Sequence, residues 1–135
     1  MQQSIIQYLV NSKDLNEVIN VKDNLFPIYA LIPESTLSSL VNPVMEYQYR
    51  DLRGGYEKQS QFSINIIGIN YMNIVKVQMA LNKILDFNLN TDFIIFDKVK
   101  FNSQISGGST SLFREDLKLY QVNLNYLIKW RYTNE

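Results

Sequence analysis

The sequence predicts a single α+β domain over residues 1–135, in which a mostly antiparallel β-sheet of about five strands carries one long helix on a face and a short helix precedes the sheet. Three observations predict this fold class. Residues 118–132 alternate apolar and polar side chains, two further alternating segments flank a Gly-Gly pair, and residues 70–85 change to a helical period of about 3.6. A chain of this length can bury one core without disulfides or metals.

The first third of the chain predicts short elements. Ser4–Val10 places its apolar residues on one side of a short amphipathic helix, and Asp14–Val21 predicts one or two further helical turns. Phe26–Ile32 predicts a short buried or edge strand, because Pro27 has no N–H to donate and therefore disfavours a central position. Pro33–Val41 predicts a polar connection.

The middle of the chain predicts a long hairpin followed by the long helix. Val44–Tyr49 and Glu57–Ile69 both alternate apolar with polar residues, and Gly54-Gly55 between them is a strong turn signal. Asn70–Leu85 then aligns its aliphatic residues on one helical face. Asn70 is a suitable N-cap, since its side chain can accept a hydrogen bond from a free first-turn amide.

The last third predicts two strands joined by a long loop. Phe93–Phe101 is the first strand and Lys118–Tyr132 the second, which we expect to anchor the core through one face. That face is Tyr120, Val122, Leu124, Tyr126, Ile128, Trp130 and Tyr132. The interval Asn102–Asp116 predicts a loop of functional length.

The composition excludes more classes of function than any single motif supports. Thirteen basic and thirteen acidic residues balance, which disfavours a dedicated nucleic-acid-binding protein. The chain has no histidine and no cysteine, which excludes Cys/His zinc sites, disulfides and Ser-His or Cys-His catalytic pairs. The N-terminus lacks the pattern of a secretory signal, and no apolar run reaches the roughly 18 residues of a membrane span. We therefore expect a scaffold or binding protein without cofactor or metal, and no membrane association.

Two features carry a weak catalytic or ligand-binding interpretation. Asp92, Asp97 and Glu46 are the acidic candidates, but they form no paired spacing within one element, so solvated or paired surface roles are favoured. Ser106–Ser111 (SGGSTS) is a candidate phosphate nest, yet it lacks the lysine of a P-loop and lies between strands. The favoured interpretation of this segment is an ordinary loop.

Candidate contact residues lie at the hairpin turn and in the long loop. Arginines beside tyrosines bracket the turn, and arginine and tyrosine are typical of interface hot spots. The long loop holds apolar residues where polar ones are expected, which favours a protein partner. The candidates are Arg50, Leu52, Arg53, Tyr56, Leu112, Phe113 and Arg114.

Four segments together resemble the tail terminator (tail completion, head-tail joining) proteins of long-tailed bacteriophages. LFPIYALIPES resembles their short strand with a proline-marked exit, and NPVMEYQYRDLRGGYEKQSQFSINIIG resembles their long hairpin. YMNIVKVQMALNKIL resembles the helix that follows directly, and SLFREDLKLYQVNLNYLIKW resembles the closing strand after a variable loop. The resemblance extends from about Ile5 to Tyr132 and is one of pattern and order.

This resemblance implies a structural virion protein of the phage neck, assembled in the host cytoplasm. It implies a homo-oligomeric ring, with a hexamer favoured, that stops growth of the tail tube and offers the surface where the head connector docks. The implied partners are the tail-tube protein and the head connector or completion protein, and DNA passes through the lumen without being read. We expect the hairpin tip and the long loop to project towards neighbouring subunits or rings.

Three alternatives stay open. The chain resembles, less closely, a head-side connector or adaptor ring or a tail-tube subunit of the same neck. A small non-catalytic adaptor domain that binds one protein partner as a monomer is a second alternative. A small enzyme using Asp92 or Asp97 is the third.

Overall fold

The computed structural model describes residues 1–27, 43–87, 92–107, 109–115 and 118–133. Four helices and seven strands lie within these residues. The helices are α1 (Gln2–Val10), α2 (Lys13–Asn16), α3 (Val21–Asn24) and α4 (Tyr71–Leu85). The strands are β1 (Leu25–Pro27), β2 (Val44–Arg53), β3 (Lys58–Gly68), β4 (Ile94–Phe96), β5 (Val99–Ile105), β6 (Thr110–Arg114) and β7 (Leu119–Tyr132).

All seven strands belong to one mixed sheet. Its order is β1-β2-β3-β7-β5-β4, and β6 pairs with β7 outside this path. The pair β1–β2 is parallel and the other described pairs are antiparallel. The predicted α+β class is therefore right, whereas the prediction of about five strands is too low by two.

The N-terminal helices pack on the same face of the sheet as α4. Ile5 and Leu9 of α1 are buried in the core. The Tyr8 hydroxyl donates to the carbonyl of Ile84 in α4 at 2.9 Å, and its ring lies 5.2 Å from that of Phe101 in β5. Of the predicted strand Phe26–Ile32, the structure describes only its start within β1, which lies at the sheet edge. Residues 28–32 and the predicted connection Pro33–Val41 lie outside the described residues.

The predicted hairpin and long helix are both confirmed. β2 and β3 join through Gly54-Gly55, and Gly55 has φ of 103°, a conformation that glycine adopts at little cost. The Asn70 side chain accepts from the backbone N–H of Met72 at 3.0 Å, which makes it the N-cap of α4. The buried stripe of α4 packs against β3, β5 and β7 and consists of Ile74, Val77, Leu81 and Leu85.

β7 lies at the centre of the sheet and anchors the core as predicted. β3 pairs with it on one side, and β5 and β6 pair with it on the other. The buried members of its core face are Val122, Leu124, Tyr126, Ile128 and Trp130. The prediction is wrong at the two ends of this face, because Tyr120 and Tyr132 are more than a third exposed. Tyr120 lies beside Tyr71 at the start of α4, and Tyr132 is the last residue of β7, so alternation sets the side on which each residue lies but not its burial.

The prediction of a long loop over Asn102–Asp116 is wrong. β5 runs to Ile105, opposite Tyr126, and β6 resumes at Thr110, opposite Asn123, so both lie along β7. Gly107, between the two strands, has φ of 78°, a conformation that glycine adopts at little cost. Polar residues hid the strand in the sequence: Asn102 is buried, yet its side-chain amide donates to the carbonyl of Asp92 at 2.9 Å. Pairing with β7 thus outweighs the loop-like composition.

The strand predicted for Phe93–Phe101 is also two strands. β4 and β5 form a hairpin in which Phe96 pairs with Val99. Asp97 and Lys98 make the turn, and Asp97 has φ of 55°. Aspartate tolerates this left-handed conformation better than most residues, which permits so tight a reversal inside an apolar run.

Candidate interaction surfaces

The first candidate surface is the hairpin tip, the residues Arg50, Leu52, Arg53 and Tyr56 around the β2–β3 turn. Leu52 is 47% exposed and Tyr56 is 60% exposed. The Arg50 guanidinium donates to the Gln61 side-chain carbonyl at 2.7 Å. A bulge between Asp51 and Arg53 displaces Leu52 from the regular pairing. The structure thus brings the four predicted tip residues together on one well-paired hairpin.

A buried polar network supports this tip from the core side. The fully buried Ser60 hydroxyl donates to Asp51 Oδ1 at 2.9 Å and accepts from Trp130 Nε1 at 3.0 Å. Because its single proton goes to Asp51, the Tyr49 hydroxyl at 2.7 Å must donate to it. Burial is the largest cause that raises the pKa of Tyr49 above its ordinary value. Three strands are therefore linked directly below the tip.

The second candidate surface is an aromatic corner, defined by Tyr71, Leu112, Phe113 and Tyr120. The Phe113 and Tyr120 rings are 4.8 Å apart, and the Tyr71 and Tyr120 rings are 5.5 Å apart. Leu112 is 55% exposed and Phe113 is 50% exposed. These residues line one shallow depression together with Ser111, and the register places the Leu112 side chain on the opposite side of β6 from the Phe113 and Tyr120 rings. Three aromatic rings from two strands and a helix end thus form one apolar patch.

Sequence reasoning found only part of this corner. Leu112, Phe113 and Arg114 were expected on a loop, whereas they belong to β6, and Arg114 ends that strand opposite Leu119. The sequence does not identify Tyr71 and Tyr120 as contact residues, because each fits the regular pattern of a predicted helix or strand. The signal that could have found them is position, since each lies near the beginning of its element.

The structure does not bring the two surfaces together. Arg50 at the tip pairs with Gln61 on β3, which in turn pairs with Leu127 on β7. Leu112 in the corner pairs with Gln121, also on β7. Leu127 and Gln121 are six residues apart, which is about 20 Å along a strand. β3 and β7 also lie between β2 and β6. The chain therefore carries two distinct exposed apolar surfaces on different edges of one sheet.

The weaker candidates lie apart from both surfaces. Glu46 is on β2, Asp97 is in the β4–β5 turn, and Asp92 precedes β4. The described residues contain no group of three or more His, Cys, Asp or Glu side chains that could hold a metal ion. In the segment Ser106–Ser111, the backbone N–H of Ser106 donates to the carbonyl of Asn125 at 2.9 Å and is not free to bind a phosphate. Of the helices that the structure describes, none has the length and apolar composition to cross a membrane.

Comparison with known proteins identifies the fold. No protein-family model matches the sequence, and no curated protein matches it. Among solved structures, the fold is similar to that of a chain from the "Virion of native gene transfer agent (GTA) particle", with a TM-score of 0.65. The match covers 96% of this chain and 92% of that chain at 12% sequence identity. At this identity the likeness establishes a shared fold over essentially the whole chain.

Proposed function

We propose that the protein is a structural component of a phage-like virion. In this proposal it forms a ring at the head-proximal end of a tail, caps growth of the tail tube and provides the surface where the head docks. The observation that carries the proposal is the shared fold with a chain of a gene transfer agent virion, which covers nearly all of both chains. A fold can host unrelated functions, so the surfaces of this chain must support the role as well.

The two exposed surfaces support ring formation. A closed ring uses heterologous contacts, in which each subunit offers two different patches that meet on successive copies. The hairpin tip and the aromatic corner are two such patches, and they lie on different edges of the sheet. Exposed apolar patches on a soluble domain are typical of protein contact sites. We favour a hexamer, with the tail-tube protein below the ring and the head connector above it.

The proposed role is non-catalytic and needs no cofactor. Support comes from the absence of histidine and cysteine in the chain and from the dispersed positions of Asp92, Asp97 and Glu46. The buried Ser60 hydroxyl forms its hydrogen bonds with Tyr49, Asp51 and Trp130, so this network stabilises the hairpin.

Native mass spectrometry over a concentration series, with negative-stain imaging of the same sample, tests the proposal. Six copies of the 15.8 kDa chain give 94.8 kDa, and a closed ring of that mass supports a tail terminator. A twelve-membered ring would instead favour a head-side connector. A monomer at every concentration, which also fails to join isolated tail tubes, would refute the ring and favour a single-partner adaptor.

Paired substitutions test whether the two surfaces form the ring contacts. Leu112→Asn with Phe113→Asn removes the two most exposed apolar side chains of the corner, and Leu52→Asn with Tyr56→Asn removes those of the tip. Loss of an interface anchor costs about 2 kcal/mol or more, roughly 30-fold per contact, so each pair should convert rings to monomers at concentrations where the native chain assembles. Ile95→Asn is the matched control, because Ile95 is 66% exposed on β4 and belongs to neither surface.

Circular dichroism of each variant separates assembly from folding. A corner variant that folds and still forms native rings would show that the aromatic corner is not a ring contact. The same outcome for the tip variant would exclude the hairpin tip. Equal loss of rings in the Ile95→Asn control would show that the effect is not specific to either surface.

A further inference from the structure

The face of the sheet that points away from α4 is polar except at one end, where Val44, Ile67 and Leu119 are buried and pack with Phe26. Residues directly opposite one another on antiparallel strands point to the same side, so the register of β2, β3, β5 and β7 assigns the members of this face. We call it the amide face. Its uncharged polar members on the three strands β2, β3 and β7 are Gln48, Gln59, Gln61, Ser63, Asn65, Gln121, Asn123 and Asn125.

The amide face concentrates positive charge. The register places five basic residues on it and, among the described residues, one acidic residue, Glu46. The basic residues are Arg50, Arg53, Lys100, Lys129 and Arg131. Asp92, whose carbonyl accepts from Asn102, adds one carboxylate at the margin and leaves an excess of three. Because the whole chain is balanced at thirteen basic and thirteen acidic residues, this excess is local and invisible in the composition.

The amide side chains on this face form hydrogen bonds with one another, in which their oxygens accept. Asn125 Oδ1 accepts from the Ser63 hydroxyl at 2.7 Å, and Asn125 Nδ2 donates to Asn123 Oδ1 at 2.8 Å. Asn123 Nδ2 in turn donates to Asn65 Oδ1 at 2.7 Å. Each amide nitrogen carries two protons, and this chain uses one proton from Asn125 and one from Asn123. The amide side chains are therefore fixed by hydrogen bonds to one another, and the second N–H of Asn123 and of Asn125 can donate to an external acceptor.

We propose that the amide face contacts the phosphate backbone of double-stranded DNA through weak, sequence-independent interactions. The ligand follows from charge complementarity: phosphates accept hydrogen bonds and carry negative charge, and this face offers cations and surplus donors. This inference rests on the proposed function and deepens it, since a ring on the tail axis would turn one face of each subunit towards passing DNA.

The same observations disfavour other occupants. Single strands bind by stacking bases on exposed aromatic rings. The rings beside this face, Tyr56 and Phe93, both lie against the Arg131 guanidinium, at 5.6 and 5.0 Å, and are thus already engaged. A protein partner would need apolar anchors near the centre of the face. The well-exposed apolar residues on this side, Ile95 and Leu112, lie on the flanking strands β4 and β6, and Leu127 in the middle is only partly exposed. Four strands span about 14 Å, which allows contact with only a few phosphates and explains a weak interaction.

Fluorescence anisotropy of a labelled duplex of about 30 base pairs, titrated with the protein between about 50 and 200 mM salt, tests this proposal. The test variant is Lys100→Gln with Lys129→Gln, which removes two cations of the amide face. The control is Lys22→Gln with Lys76→Gln, which removes the same charge from exposed positions on α3 and α4. Neither pair includes a residue of the tip or the corner.

We expect the native chain and the control to bind with similar affinity. The test variant should bind about tenfold more weakly at low salt, and its plot of log affinity against log salt should be shallower by about 1.8. Equal losses in both variants, or no salt-dependent binding by the native chain, would overturn the proposal. Ring mass is measured on the same samples: rings that do not bind duplex refute this inference alone, whereas a duplex-binding permanent monomer refutes the ring alone.

Discussion

Replacing Ser60 with alanine removes a hydroxyl that three side chains share below the hairpin tip. Ser60 is fully buried, and its oxygen accepts from Trp130 Nε1 at 3.0 Å and from the Tyr49 hydroxyl while donating to Asp51. Trp130 is 5% exposed, so its indole N–H has no access to bulk water when the acceptor is lost. Tyr49 is only partly buried and Asp51 is exposed, so both can turn to water.

The magnitude follows from the one donor that stays buried. An unsatisfied buried donor costs about 1–3 kcal/mol, and the two solvent-accessible partners add a few tenths, so we expect about 2 kcal/mol less free energy of unfolding. For a domain of this size, that loss lowers Tm by about 6–10 °C. Ser63→Ala on the same strand is the matched control. Its hydroxyl donates only to Asn125 Oδ1, which also accepts from Gln61, so we expect a loss of about 0.5 kcal/mol.

Urea unfolding followed by circular dichroism measures both variants. A double-mutant cycle of Ser60→Ala with Trp130→Phe isolates the indole contact, and its coupling energy should be about 1 kcal/mol. The reasoning is refuted if Ser60→Ala loses no more stability than Ser63→Ala, or if the cycle shows no coupling between positions 60 and 130.

Three further predictions concern stability. Burial is the largest cause that raises the pKa of Tyr126, so the folded chain retains this proton when the unfolded chain ionises. The contribution of Tyr126 to the free energy of unfolding should therefore be constant below about pH 10 and fall above it, and Tyr126→Phe should reduce the fall above about pH 10 in pH-dependent urea titrations. A Cβ on Gly68 would lie 3.2 Å from Pro43 Cβ, so Gly68→Ala should cost about 1–3 kcal/mol in thermal unfolding, whereas Gly54→Ala meets nothing within 4 Å and should cost far less. Asn70→Ala removes the N-cap of α4 and should cost about 1 kcal/mol, and an unchanged midpoint in urea would contradict this role.

Local periodicity allowed several elements to be predicted well. The β2–β3 hairpin, its Gly54-Gly55 turn and the extent of α4 follow from alternation, turn chemistry and a capping side chain, all of which act within a few residues. The β5–β6 region failed for the opposite reason. The backbone of these strands pairs with β7, and the Asn102 side chain donates to the carbonyl of Asp92, so no pattern within a few residues reports the pairing.

The candidate surfaces divide in the same way. Leu112 and Phe113 could be selected because apolar residues stood in a segment that otherwise read as a polar loop. Tyr71 and Tyr120 could not, because their elements read as ordinary and only the packing of a helix end beside β6 exposes their rings. The number of surfaces and the distance between them depend on strand order, which neighbouring residues in the sequence do not specify.

The sequence by itself determined the secondary structure around the hairpin, the side of β7 that faces the core, and the exclusion of histidine and cysteine chemistry. Each of these depends on residue identity or on a period of a few residues. Only the tertiary structure decided that the tip and the corner lie on different edges, and that a chain with balanced charge gathers five basic residues on one face. The physical reason is that strand pairing brings alternate residues from four distant segments into one plane, so the charge pattern of that plane arises only once the sheet has formed.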